Sequence, residues 1–177
     1  MIHTLECSNQ YIKNIELGRV CGIKNRTNKE ILDEFDTWAK LTLLVFTHFK
    51  IENLFLNLLK AMDSEYDKRL FSKITHDLLE RLTITDKVEK ENCLIAMSIM
   101  RNSLHNNSIN RNRSFNELIN GKRFIFIKNK HTTGDIFDHI FLIDFALDII
   151  EEIINSPEVL NLPVPIPDSF HVEMGYE

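Results

Sequence analysis

The stretch from Ile136 to Ile154 constrains the fold of this chain more than any other. Ile136, Ile140, Ile143, Leu147, Ile150 and Ile154 recur in alternating steps of four and three, the repeat of one helical face. Leu142, Ala146, Ile149 and Ile153 form a second row beside the first, which leaves Asp144, Asp148, Glu151 and Glu152 as the main polar stripe. A helix with so wide an apolar surface is covered on several sides, by other helices or by a second copy of the chain. The sequence therefore points to an all-α fold, a small bundle of four or five helices, and to a homodimer.

Three further helices are legible upstream. Thr27 and Glu30 have capping-box spacing, and Ile31, Phe35, Trp38, Val45, Phe46 and Phe49 then recur near helical period, so a long helix should run to about Met62 with a kink or break near Lys50. Asp63 and Ser64 can cap a second helix carrying Leu70, Ile74, Leu78 and Leu82. Asp86 and Glu89 repeat the capping logic for a third, with Leu94, Met97, Met100 and Leu104, which should end at Asn106 and Asn107 because Asn tolerates the left-handed conformation. Residues 108 to 121 read as loop. Arg123-Phe124-Ile125-Phe126-Ile127 reads as a strand that pairs with Lys128 to Gly134 in a short β-hairpin appended between the last two main helices. Ser156-Pro157 places an N-cap before a proline at the first helical position, so a helical turn should follow. Residues 156–177 then become an extended, proline-containing tail, and residues 1–26 carry too little periodicity to assign. The whole, residues 1–177, reads as a single domain.

Composition narrows the class. With 44% hydrophobic and 27% charged residues, five Gly and four Pro, a folded globular chain is expected. Cys7, Cys21 and Cys93 are odd in number and lack CxxC spacing, which disfavours a disulfide framework and a zinc ribbon; reduced thiols in a cytoplasm are expected. Met1 to Cys7 has no basic region followed by an apolar run, so no signal peptide is expected. The apolar stretch from Leu41 to Leu59 is interrupted by His48, Lys50, Glu52, Asn53 and Asn57, so no membrane span is expected either.

The net charge of -5 is unevenly distributed. Arg101, Arg111, Arg113, Lys122, Arg123, Lys128 and Lys130 face a single acid, Glu117, between residues 101 and 131, whereas no Lys or Arg occurs after Thr132. Arg111, Arg113, Lys122, Arg123, Lys128 and Lys130 can gather the phosphates of RNA. Equally, the basic segment can lie over the acidic face of the fourth helix and be neutralised within the molecule.

The segment Arg101-Asn102-Ser103-Leu104-His105-Asn106-Asn107 holds the candidate chemistry. At i and i+4, Arg101 and His105 lie about 40° apart around a helix and about 6 Å apart along it, so both can serve one site. The same row holds Cys93 and Met97, so the two polar groups continue a core-facing line. Such a pair suits RNA cleavage without metal: the imidazole moves a proton at the ribose 2′-hydroxyl or the leaving oxygen, and the guanidinium stabilises charge on phosphorus. Asn102 and Asn106 can orient either group. The bland reading is a helix C-terminus whose cationic residues favour the dipole. His131, His139, Asp135 and Asp138 can be drawn as a metal cluster, but a solvated helix start explains them better, and neither metal nor cofactor is expected. His48 and His76 read as structural histidines.

This Arg-Asn-x-x-His segment, the Phe-Ile-Phe-Ile strand and the apolar helix ending in Ile154-Asn155-Ser156-Pro157 resemble a bacterial HEPN-like protein over roughly residues 85 to 160. The resemblance implies a helical bundle, metal-independent endoribonuclease activity in a toxin or anti-phage defence system, and a dimer whose two motifs share one cleft. It also implies Arg101 and His105 as the catalytic pair and RNA as the partner, with a neutralising or regulatory protein as a further one. Three residues separate Arg101 from His105, a shorter gap than the usual motif. The alternative is a non-catalytic dimerisation or interaction module of the same fold.

Overall fold

The computed structural model describes residues 26–104, 106–132 and 136–163. Among these, five helices and one hairpin follow in the order α1 (Asn28–Met62), α2 (Phe71–Arg81), α3 (Lys87–Leu104), β1 (Phe115–Ile119), β2 (Lys122–Phe126), α4 (Ile136–Ile154) and α5 (Pro157–Leu160). The protein is thus mostly helical with a two-stranded antiparallel hairpin between the last two long helices. The contacts of the chain divide it into two compact units, Met1–Thr42 and Leu43–Glu177.

In the first unit the capping box forms as its spacing predicts. The Thr27 N–H donates to Glu30 Oε2 at 2.8 Å and the Glu30 N–H donates back to Thr27 Oγ1 at 3.3 Å. Both exchanges satisfy amides that the first turn of a helix cannot pair internally.

In the second unit α3 is the central element, packed against α2, α4 and β1. Cys93, Leu94, Ala96 and Met97 of α3 are fully buried, as are Leu142, Ala146, Ile149 and Ile153 of α4. The second apolar row of α4 therefore meets the core along its length, and of the first row Ile143 is buried too. Leu147 and Ile154 of the first row are 52% and 45% exposed. The Cys93 thiol donates to the Leu142 carbonyl at 3.6 Å, so the two helices approach closely there. Lys90 is buried beside them; its ammonium donates to the Thr85 carbonyl and pairs with Glu152 Oε2 at 2.6 Å. The Thr85 and Thr83 amides donate to Glu152 at 3.1 Å and to Glu158 at 3.0 Å, which fastens the loop before α3 to α4 and α5.

Three local expectations are corrected. α1 does not break near Lys50 and does not bury Phe46 and Phe49, which are 55% and 52% exposed; its core row in this unit is Leu44, His48, Ile51, Phe55, Leu58 and Leu59. α2 starts at Phe71 after the exposed N-cap Leu70, while Asp63 accepts the Glu65 amide in a turn at the end of α1. The partner of β2 precedes it in sequence: Phe115 pairs with Phe126 and Ile119 with Lys122. The connecting Asn120 and Gly121 have φ of 44° and 77°, the two positive values of the hairpin turn whose twist matches its strands. Glu89 accepts the Asn120 amide at 2.7 Å and so ties that turn to α3. Residues 127–132 still pair, but with the loop after α3, through the Ile109–His131 bridge and the Asn110 backbone.

α3 ends where the asparagines predict. Asn107 and Ser108 adopt φ of 52° and 61°, and the Ser108 amide reaches back to the Ser103 carbonyl at 2.8 Å. Ser156 precedes Pro157 at the first position of α5, also as read, although its hydroxyl bonds the Ile153 carbonyl at 2.7 Å rather than capping. The proposed tail beyond residue 163 and the segment 1–25 lie outside the described residues.

Candidate functional site

A cleft of about 960 Å³ opens in the second unit, and Arg101 and Asn102 line it from the last turn of α3. Its other walls come from His48 and Glu52 of α1, the residues leading into α2, Lys73 and His76 of α2 itself, Glu91 of α3, and Asn112 and Arg113 of the loop after α3. Five Lys and Arg line it against two Glu, so its field is positive although the protein as a whole is acidic. Part of that charge is used internally. Lys68 and Lys73 share Asp77 at 2.7 and 3.4 Å, and His76 lies 3.3 Å from Glu91. Arg69 and Arg113 are exposed, with no ion-pair partner among the described residues.

Arg101 sits where α3 changes from core helix to cap. One turn back on its row is the fully buried Met97; beside it the Ser103 hydroxyl bonds the Ile99 carbonyl at 2.7 Å and stiffens the last turn. The Arg101 Nη1 donates to Asn102 Oδ1 at 3.0 Å, whereas its Nε is buried and has no hydrogen-bond partner in the protein. Asn106, outside the cleft lining, donates to the Asn102 carbonyl at 2.9 Å and closes the helix end. His105 lies outside the described residues. The structure thus brings Arg101, Asn102 and Arg113 to one cleft.

The remaining cations of the sequence-defined set are elsewhere. Lys122 pairs with Asp138 of α4 and lies 5.3 and 5.7 Å from the Phe141 and Phe124 ring centres, an intramolecular match of basic hairpin and acidic helix at this one position. Arg123 donates to Asn116 Oδ1 across the hairpin at 2.8 Å. Arg111, Lys128 and Lys130 are exposed on the paired loops around the Ile109–His131 bridge. Among the described residues no three His, Cys, Asp or Glu side chains converge as a metal site; Asp135 is outside them. No described helix is long and apolar enough to cross a membrane.

The residue that periodicity alone did not single out is His48. It is 1% exposed, yet it lines the cleft; neither ring nitrogen has a hydrogen-bond partner in the protein. The nearest carboxylate oxygen, on Glu52, is 3.9 Å from Nδ1, too far for a hydrogen bond. The ring instead packs on Phe71, with centroids 4.2 Å apart and planes at 46°. Burial, and then the Arg101 charge, push its pKa from 6.5 down to about 4, so the imidazole is neutral at pH 7. The signal that could have found it is its place in the row Leu44, His48, Ile51, Phe55, where a polar ring interrupts core residues. Arg69 and His76 line the same cleft.

Comparison with protein-family models, with curated proteins and with solved structures finds no match to this chain.

Proposed function

We propose that the protein is a HEPN-like, metal-independent endoribonuclease and that the cleft at the end of α3 receives the RNA backbone. The observation that carries this reading is Arg101: a guanidinium at the end of a core helix, in a cation-lined cleft, with Nε buried and no acceptor in the protein. Such a donor is costly to bury and suits a phosphate oxygen. The motif resemblance supplies His105 as the proton-moving group. In the reaction, the 2′-oxygen forms a bond to phosphorus as its proton passes to a base. The bond from phosphorus to the 5′-oxygen then breaks and the leaving oxygen is protonated, while Arg101 stabilises the added negative charge.

The assay is cleavage of unmodified RNA by purified protein in EDTA. A 2′,3′-cyclic phosphate on the products, resistance of 2′-deoxy targets, and loss of about two orders of magnitude or more in folded His105→Ala are expected. Full cleavage by folded His105→Ala would sink the mechanism. The exposed Leu147 and Ile154 on α4, with Phe137 at 70%, support the proposed homodimer and also favour the second reading, an interaction module that binds without cutting. A protein that sediments as a dimer and cuts no RNA would establish the latter.

A further inference from the structure

Three buried nitrogens without a hydrogen-bond partner in the protein belong to two residues that line the cleft: His48 Nδ1, His48 Nε2 and Arg101 Nε. Buried polar atoms in folded proteins are nearly always paired, so a group of three on residues of one cleft calls for a partner from outside the chain. The charged and titratable groups that line the cleft with His48 are Glu52 on its own helix, Lys73 and His76 on α2, Glu91 and Arg101 on α3, and Lys68, Arg69 and Arg113 on the flanking loops. His76 and Glu91 lie within ion-pair distance of each other, and Lys73 is held by Asp77. The cation whose charge acts on His48 is Arg101, and the nearest carboxylate oxygen is that of Glu52, 3.9 Å from Nδ1.

We propose that His48 is a second phosphate-binding group of this cleft, one that takes up a proton when a phosphodiester anion binds beside Arg101. In the free protein the ring is neutral because burial disfavours its cation and the Arg101 charge adds to that, against the Glu52 carboxylate 3.9 Å away. An anion between them reverses both terms: it attracts the imidazolium and offsets the guanidinium. The protonated ring donates from both nitrogens, which places it as a donor toward a phosphate oxygen that also accepts from Arg101 Nε. The size and positive lining of the cleft favour a chain of phosphates over a single small anion. Its volume of about 960 Å³ is at the upper end for ligand pockets, and Arg69 and Arg113, without an ion-pair partner among the described residues, add their charge to that of Arg101.

This inference rests on the reading of the cleft as an RNA site, and it is tested without cleavage. A 2′-O-methyl oligouridylate, which cannot form the cyclic product, is titrated calorimetrically into the full-length protein at pH 5.5. Two buffers of different ionisation enthalpy are used, so that the difference in heat counts protons. Uptake of about one half to one proton per site is expected for wild type, and close to none for His48→Asn, whose binding should be roughly tenfold weaker. Uptake that persists in His48→Asn but disappears in His105→Ala belongs to the motif histidine and overturns the proposal, as does absence of binding. Should the variant not fold, the imidazole resonances of wild type decide: one histidine titrating near pH 4 must move above pH 6 when the oligonucleotide is added, and no such movement overturns the proposal. His48-linked uptake in a protein that cuts no RNA leaves this inference standing and removes the nuclease reading. Cleavage without it does the reverse.

Discussion

Lowering the pH should unfold this protein partly through a single side chain, His48. An unfolded histidine takes up its proton near pH 6.5, whereas the folded, buried ring resists protonation down to about pH 4. Between these values the unfolded state binds more protons than the folded one, so stability falls as pH falls. Above pH 6.5 both states are neutral here and nothing is lost; below about 4 both are protonated and the loss is complete. At about 1.4 kcal/mol per unit, the window corresponds to a limiting loss of about 3 kcal/mol, of which about 2 kcal/mol should accrue between pH 7 and pH 4.5. Carboxylates held below their ordinary range add to the acid sensitivity: hydrogen bonds from Arg81 to Asp63 and from Lys90 to Glu152, and those from Lys68, Tyr66 and Lys73 to Asp77, are all weakened when the acids protonate. These groups remain in His48→Leu, which keeps an apolar side chain against Phe71. The difference between the two proteins therefore isolates the ring. Urea unfolding followed by circular dichroism at pH 7, 6, 5 and 4.5 should show wild type losing about 2 kcal/mol more than the variant across this range. Parallel curves would refute the assignment of a buried, neutral imidazole at this position.

Other expectations follow from the same structure. The Cys93 thiol, pushed up to about 12 by burial and then by the Glu89 charge, should escape alkylation at pH 8 in the folded protein, which peptide mass mapping after iodoacetamide checks. Lys90→Ala removes the cation that Glu152 and Thr85 face and should cost about 2 kcal/mol in urea unfolding; a neutral result would mean that the pair is not formed in solution. Gly121→Ala meets no neighbour but forces φ of 77° on an L-residue, so about 1 kcal/mol of destabilisation without lost contacts is expected by thermal melting. Replacing Arg69 and Arg113 together by Ala should weaken RNA binding about equally across sequences and flatten its dependence on salt, whereas Lys122→Ala, already neutralised by Asp138, should change that slope little.

What could be read from sequence is what local chemistry decides. Thr27 with Glu30 starts α1, Asn107 stops α3, and Pro157 opens α5, because each depends on residues within a turn of itself. The face of α1 was not legible in the same way. Its apolar residues occur on more than one side, so periodicity alone cannot separate the exposed Phe46 and Phe49 from the buried Leu44, Ile51 and Phe55; contacts distant in sequence decide. The hairpin partner was hidden for a different reason. Phe115 to Ile119 buries only its two ends and so shows no strand-like alternation, and Asn120-Gly121 was the one local sign that the strand belongs there.

The site divides along the same line. Arg101 is visible in sequence because it follows Cys93 and Met97 on one helical row, so a guanidinium interrupts a core face. His48 interrupts the row of Leu44 and Ile51 in the same manner, but a lone histidine in a core row is ordinarily one that the fold has satisfied. What changes its meaning is the second interruption. An unpartnered guanidinium nitrogen and an unpartnered imidazole, on helices far apart in sequence, border one cleft, and the charge of the first bears on the protonation of the second. A chain under selection for stability alone gains by replacing such a histidine with leucine, since the ring forfeits its hydrogen bonds at neutral pH and loses stability in acid. Keeping it is intelligible if the neutral ring is the resting form of a group that is charged only when an anion fills the cleft. On that account His48→Leu should be as stable as wild type or more so at pH 7 and weaker in binding the 2′-O-methyl oligonucleotide. A variant less stable than wild type at pH 7, with binding unchanged, would mean that the ring is structural.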